Sequence, residues 1–121
     1  MTRIAVIGHV EWVQHARLHE PLEHGAIIQL HDTFEEPGGG GGVAARALPA
    51  LGAEARFITA LGDDAAADES ERVLRRDGCD LRIARRDHPQ ARVTTLAEPG
   101  GERTILLHGA NDHPEIEDPL G

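Results

Sequence analysis

Apolar positions along this chain follow two rhythms, and the change from one to the other marks out the elements. Residues 3–8 (RIAVIG) form a short unbroken apolar run ending in glycine, which suits a strand buried on both faces. Residues 25–30 (GAIIQL) read as a second strand, reached through a polar stretch at 9–24. From 43 to 51 the apolar residues fall at 43, 44, 47, 48 and 51, a helical spacing, and Gly52 follows as a C-terminal stop. Residues 54–61 (EARFITAL) return to a strand pattern. The segment GDDAAADESERVLRRDGCD then carries helix punctuation at both ends. Asp63 or Asp64 can cap its start, acids crowd the first turns, arginines occupy the last, and Gly78 closes it. A short strand is expected at 81–84. Two β-prone arms flank Glu98-Pro99-Gly100-Gly101 and predict a hairpin over 91–108. The tail after it is rich in Pro and acids and shows no clear element.

Strand, glycine-rich turn, helix, strand, helix, strand is the order of a doubly wound α/β sheet. The terminal hairpin does not belong to that order and reads as a flap over something.

Composition narrows the function. The 121 residues suffice for one domain, and with 40% hydrophobic but only 2% aromatic residues the core must be built from Val, Ile, Leu and Ala. A net charge of -9 argues against a nucleic-acid partner and against adsorption to anionic membranes. All 12 basic residues are Arg, so a phosphate loop that depends on Lys is excluded. Cys79 is the single cysteine, which rules out a disulfide or a zinc cluster within one chain. The N-terminal apolar run is too short for a signal peptide, and the cytoplasm is the expected location.

The candidate chemistry lies at Gly38, Gly39, Gly40, Gly41 and Gly42. A dinucleotide fingerprint would follow the first strand directly, and here that strand runs into GHVEW. A flexible linker would not open at once into an apolar helical pattern. What remains is a close-approach loop at a helix start, where glycines let backbone N–H groups reach a ligand rich in oxygens, either a phosphate or a polyol. Three other features have weaker claims. His15 and His19 could share a helical face with Glu11 as metal ligands, but no third and fourth ligands have motif spacing, and surface histidines are the plainer reading. Trp12 could stack on a sugar or pack on the sheet. Pro49 falls inside the predicted helix, where it would cost about 3 kcal/mol and kink the axis.

The ordered set RIAVIG, Pro21 and Gly25, GGGGGVAARALPALGAEARFITALGDD, GERTI and HGAND resembles the N-terminal half of the PfkB, or ribokinase-like, carbohydrate kinases. The resemblance runs almost the whole length. It implies a Rossmann-like α/β fold with a β-hairpin lid, the lid elements falling at about 9–36 and 86–108, and residues 1–121 forming the N-terminal part of a kinase domain. It implies transfer of the ATP γ-phosphoryl group, with Mg2+, to a sugar or nucleoside hydroxyl. The substrate contacts would fall on Glu11 and on Gly38 to Gly42, under the lid. The same resemblance places the catalytic Asp, the anion hole and the nucleotide pocket in a later Gly-Ala-Gly-Asp helix, so no catalytic residue is expected here. Gly109-Ala110-Asn111-Asp112 looks similar but directly follows the lid, and Asp112 is not expected to be the base. A truncated, inactive sugar-binding half is therefore expected, with a non-catalytic polyol-binding module as the alternative and the lid hairpin as a surface for a homodimer. Two positions depart from the family pattern. Val43 stands where an Asn is usual, and Val13 where ribokinase-type members carry an Asp, with Glu11 on a neighbouring Asn position, where it could grip a hydroxyl in place of that contact or be an ordinary solvated acid.

Overall fold

The strands divide between two sheets in a computed structural model whose described residues are 2–110 and 112–115. Strand β1 (Arg3–Ile7) is followed by β2 (Glu11–Arg17), β3 (His31–Gly38) and helix α1 (Gly39–Ala50). The chain continues through β4 (Glu54–Leu61), α2 (Ala65–Arg76), β5 (Asp80–Arg85), β6 (Arg92–Ala97) and β7 (Arg103–His108). One sheet is parallel with order β1-β4-β5, and the other has order β3-β2-β6-β7. In the second sheet β2 runs parallel to β6, while β3 and β7 are antiparallel to their neighbours. The predicted hairpin is thus half of a four-stranded sheet.

Both helices pack on one face of the parallel sheet. Phe57 and Leu61 of β4, Leu81 of β5, Ala45 of α1 and Ala67 and Leu74 of α2 share one buried cluster with Val10 and Cys79. Fully burying a side chain such as Leu74 or Phe57 contributes about 1.5–3 kcal/mol. Helix α2 presents Ala66, Ala67, Ser70, Val73 and Leu74 inward. The two polar features predicted for its start and stop are present. Asp64 caps it by accepting from the Ala67 N–H at 3.1 Å, and Arg75 and Arg76 occupy its last turn.

Each helix closes on a left-handed glycine. Gly52 (φ 88) and Gly78 (φ 96) lie just past the ends, with Ala53 N–H donating to Leu48 O and Cys79 N–H to Leu74 O, both at 3.1 Å. These are the outer bonds of Schellman turns. Pro49 sits in the final turn of α1 rather than at its centre, so the expected mid-helix kink does not arise. Its ring does remove the N–H that would bond Ala45 O four residues back. The Cys79 thiol takes that place, donating to Ala45 O at 3.3 Å. Burial pushes this thiol's pKa up, as does nearby Asp77.

Three expectations need correction. Residues 25–30 form no strand; Ile28 and Leu30 instead pack on the small cluster of Ala16, Leu18 and Leu96, and Ile27 is fully exposed. The second strand comes from the polar stretch, at Glu11–Arg17, where Val13 and Ala16 are buried between half-buried polar residues. A pairing irregularity between His15 and Arg17 breaks the alternation that would have marked it. Nor is β1 buried on both faces. Among the described residues it bonds only to β4, and at this open edge Ile4 is 37% and Ile7 66% exposed. The opposite edge, β5, carries Asp80, Arg82 and Arg85, charges that discourage further pairing.

Candidate functional site

Parallel α/β sheets bind ligands beyond the carboxyl ends of their strands. Here that end gathers the turn after β1 (Gly8 to Val10), the start of α1, the Gly62-Asp63-Asp64 turn and the segment 86–91. The elements are tied together tightly. Gln90, buried, accepts from the Gly62 N–H through Oε1 at 2.9 Å and donates from Nε2 to Val10 O at 2.7 Å. Gly62 has no space for a side chain, since an added Cβ would lie 2.5 Å from both Gln90 N and His88 O. Asp63 N–H donates to His88 O at 3.0 Å. One amide side chain therefore holds the exits of β1 and β4 against the strand that enters the second sheet.

The glycines fold differently from a loop that precedes a helix. Gly38 ends β3 and is the N-cap position, with no side-chain cap, and Gly39 to Gly42 are the first turn of α1. Gly41 is required by the protein's own backbone, and Gly38 by a neighbouring side chain. A Cβ on Gly41 would stand 2.9 Å from Gly8 C and from His9 O, and one on Gly38 would stand 2.7 Å from Val13 Cγ2. Gly39 (φ 78) lies against the His9 ring. Gly42 N–H donates to His9 O at 3.2 Å. Of the five, only Gly40 faces open space, with nothing within 4 Å of where a Cβ would stand. Its N–H and that of Gly41 belong to the donors that a helix start leaves without an intrahelical partner.

Glu11 opens β2 beside this turn. Its side chain is 15% exposed and within 3.3 Å of His9 Nε2. The structure places Glu11 next to the glycine turn, paired in register with Gly38. His15 and His19 do not join it. His15 lies on strand β2, stacked on Phe34 and 3.1 Å from Glu36, and His19 stacks on His31 with ring centroids 3.5 Å apart. The helical face imagined for them does not exist, and among the described residues no group of three or more His, Cys, Asp or Glu could hold a metal ion. Trp12, half-buried on β2, stands between Pro37 and Arg92 in register. Val43 is exposed on α1.

The segment after β7 returns to the same end of the sheet. Asp112 pairs with His88 at 3.1 Å, Arg86 donates to His113 O at 3.1 Å, and the His113 ring meets His9 edge-on at 5.4 Å. The Pro89 carbonyl and the Asp112 carboxylate hold His88 above its ordinary pKa. Sequence reading gave no sign of the Gln90 clamp or of His9, because their partners lie far away in the chain or belong to the backbone. Behind α1, Arg46 donates to Asp77 at 2.7 Å, to Glu36 at 3.0 Å and to Pro37 O at 3.0 Å, fixing β3, α1 and the end of α2. A concavity of about 600 Å3 lies at the opposite end of the sheet, lined by Arg3, Ala5, Glu54, Arg56 and Asp80. It follows the uncovered amino ends of the strands, where Arg56 and Asp80 pair at 3.1 Å, and it lies away from the glycine turn.

Comparison with known proteins agrees with this layout. The family model described as pfkB family carbohydrate kinase matches residues 1–120. No curated protein matches the chain. Among solved structures, a ribokinase from Giardia lamblia matches with a TM-score of 0.78 at 22% identity, over 88% of this chain and 33% of its own. A ribokinase from Cryptococcus neoformans, solved in complex with ADP, matches at 0.73 and 25%, over 89% of this chain and 35% of its own. Phosphofructokinase-2 from Escherichia coli, solved with fructose-6-phosphate, matches at 0.78 and 19%, over 97% of this chain and 39% of its own. The fold is the ribokinase-like α/β fold, and the chain spans a little over a third of the length of such structures.

Proposed function

The chain belongs to the pfkB family of carbohydrate kinases, and from that premise we propose that residues 1–121 supply the acceptor-binding and lid part of an ATP-dependent sugar kinase. The single observation that supports it most is the pairing in register of Glu11 with Gly38, the N-cap position of α1, at the carboxyl end of the parallel strands. A carboxylate accepts from hydroxyls and a helix start donates to their oxygens, a combination suited to a polyol. The substrate-contact set is Glu11 with Gly40 and Gly41 in direct reach. Gly38, Gly39 and Gly42 shape the turn behind them. The acceptor is a sugar or nucleoside hydroxyl, and the γ-phosphoryl group comes from ATP with Mg2+ in the whole enzyme. Those co-substrates point to the cytoplasm.

Phosphoryl transfer needs a base to take the hydroxyl proton and charge to stabilise the moving phosphoryl group. In this reading those groups lie outside residues 1–121, so the chain alone binds acceptor without turning it over. Asp112, engaged with His88, is not assigned as the base. Incubation of the purified chain with ATP, Mg2+ and a panel of sugars should give no product above the enzyme-free control, and robust turnover would refute this part. The alternative of a non-catalytic polyol-binding module is favoured only by departures from the family pattern at Val13 and Val43. It predicts that the chain binds a polyol as a stable protein, and that adding the C-terminal portion of a ribokinase restores no transfer.

The lid also offers a surface for a second copy. Ile105, Leu106 and Leu107 of the edge strand β7 are each more than half exposed, at 51%, 54% and 55%. Edge strands with apolar side chains invite pairing, and a homodimer through the β6–β7 hairpin is the arrangement we propose.

A further inference from the structure

The β6–β7 hairpin is rooted twice at the carboxyl end of the parallel sheet, and the two roots are held by different means. The entering root, residues 86–91, is pinned through its main chain. Asp63 N–H donates to His88 O at 3.0 Å and Trp12 N–H to Ala91 O at 2.9 Å, while the buried Gln90 side chain adds its bonds to Gly62 N–H and Val10 O. The returning root turns at Gly109, which is left-handed (φ 90). Beyond that turn, side chains make the hold on residues 112 and 113. Asp112 meets His88 at 3.1 Å, Arg86 donates to His113 O at 3.1 Å, and the His113 ring meets His9 edge-on at 5.4 Å.

His88 faces acceptors with both ring nitrogens. Nδ1 lies 3.1 Å from Pro89 O, and Nε2 lies 3.1 Å from the Asp112 carboxylate. A carbonyl and a carboxylate only accept, and a neutral imidazole has one N–H, so the imidazolium alone satisfies both. Asp63, in the β4–α2 turn, adds a further negative charge, and Arg86, two residues before His88, is turned to His113 O. We propose that His88 and Asp112 form a proton-dependent latch, which fixes the returning root of the β6–β7 hairpin to the parallel sheet while His88 is charged and releases it when His88 is neutral. The Pro89 carbonyl, Asp112 and Asp63 hold the folded pKa of His88 above its ordinary value. The latch is therefore closed below the unfolded value of about 6.5 and opens as pH rises through the folded value. Once it is open, the end of β7 frays from β6, its one ladder partner among the described residues. The latch rests on these contacts, and its service to a lid rests on the reading proposed above.

The test is hydrogen exchange of the 121-residue chain, read by NMR at about pH 5.5 and about pH 8.5 and corrected for the intrinsic rate at each pH. Expected is a fall of about threefold or more in the protection of the amides from Leu106 to Gly109 at the higher pH, the scale of a partly exposed ion pair. The amides of Phe57 and Leu61 in β4 serve as the reference and should not follow. In His88→Gln the amide side chain donates to Asp112 at every pH, so the step should vanish with protection kept. In His88→Phe the ring has no N–H, so protection should be low at both values. A flat response in the unmodified chain, a step that survives in His88→Gln, or a step shared by Phe57 and Leu61 overturns the latch. Repeating the measurement with neutral pentoses and hexoses separates the latch from the lid. A pH step with no sugar effect on the hairpin supports the latch and overturns the lid; protection by sugar without a pH step does the reverse.

Discussion

Alanine substitutions at Gly40 and Gly41, neighbours on the same helical turn, should have opposite effects on stability. A Cβ on Gly41 would lie 2.9 Å from Gly8 C, 2.9 Å from His9 O and 3.0 Å from Gly8 Cα, all backbone atoms. Backbone cannot swing aside as a long side chain can, so the β1–β2 turn and α1 must move apart, and overpacking of this kind costs about 1–3 kcal/mol. Alanine's better helix propensity returns about 1 kcal/mol. The net for Gly41→Ala is therefore about 0–2 kcal/mol of destabilisation, with the Gly42-to-His9 bond strained as well. Gly40 has nothing within 4 Å and no positive φ, so Gly40→Ala collects the propensity and unfolded-state gain of about 0.4–1 kcal/mol without a clash. The two variants should differ by about 1–3 kcal/mol in urea-unfolding free energy, a gap of several degrees in melting midpoint for a domain of this size. Unfolding followed by circular dichroism reads both. Equal stabilities, or Gly41→Ala the more stable, would refute the claim that the glycine run is shaped by contact with the turn after β1.

Other expectations follow from single contacts. Cys79→Ala leaves Ala45 O without the donor that replaces Pro49's missing N–H, at a cost of about 1 kcal/mol in chemical denaturation, and Cys79→Ser should recover part of it. Arg46→Ala removes a half-buried cation from Glu36, Asp77 and Pro37 O, and should destabilise by about 2 kcal/mol or more. Because the folded His88 pKa is raised, its contribution with Pro89 O and Asp112 is fully present below the unfolded value of about 6.5 and is lost as pH rises through the folded value. NMR titration of His88 should show that raised value, and Asp112→Asn should lower it. Leu106→Lys should reduce self-association in sedimentation runs, since Leu106 is 54% exposed on β7, the edge strand through which the homodimer is proposed.

Local rules carried much of the fold in the sequence. Asp64, Arg75, Arg76 and Gly78 punctuated α2, and the Glu98-to-Gly101 turn announced the β6–β7 hairpin, because each acts within a few residues of itself. The candidate site rested on Glu11 and the glycines, which the resemblance to the carbohydrate kinases grouped. Strand β2 was hidden because EWVQHAR carries only Val13 and Ala16 as buried apolar positions, and the pairing irregularity offsets them. Strand β3 was hidden for another reason: HDTFEEPG is an edge strand, mostly exposed, with Pro37 near its end. Residues 25–30 misled in the opposite sense. Their apolar side chains cover the cluster around Leu18 without joining a ladder. The roles of Gly41 and Gln90 could not be read locally, since they answer to backbone atoms of Gly8, His9, Val10 and Gly62 brought in by the tertiary fold.

The acceptor site itself is tested most directly by mapping amide and side-chain NMR shifts of the 15N-labelled chain during titration with neutral sugars. Binding at the glycine turn should move the signals of His9, Glu11, Gly40 and Gly41 first and leave those of Arg56 and Asp80 at the far end of the sheet unchanged. Shifts centred on Arg56 and Asp80, or none at saturating sugar, would contradict it.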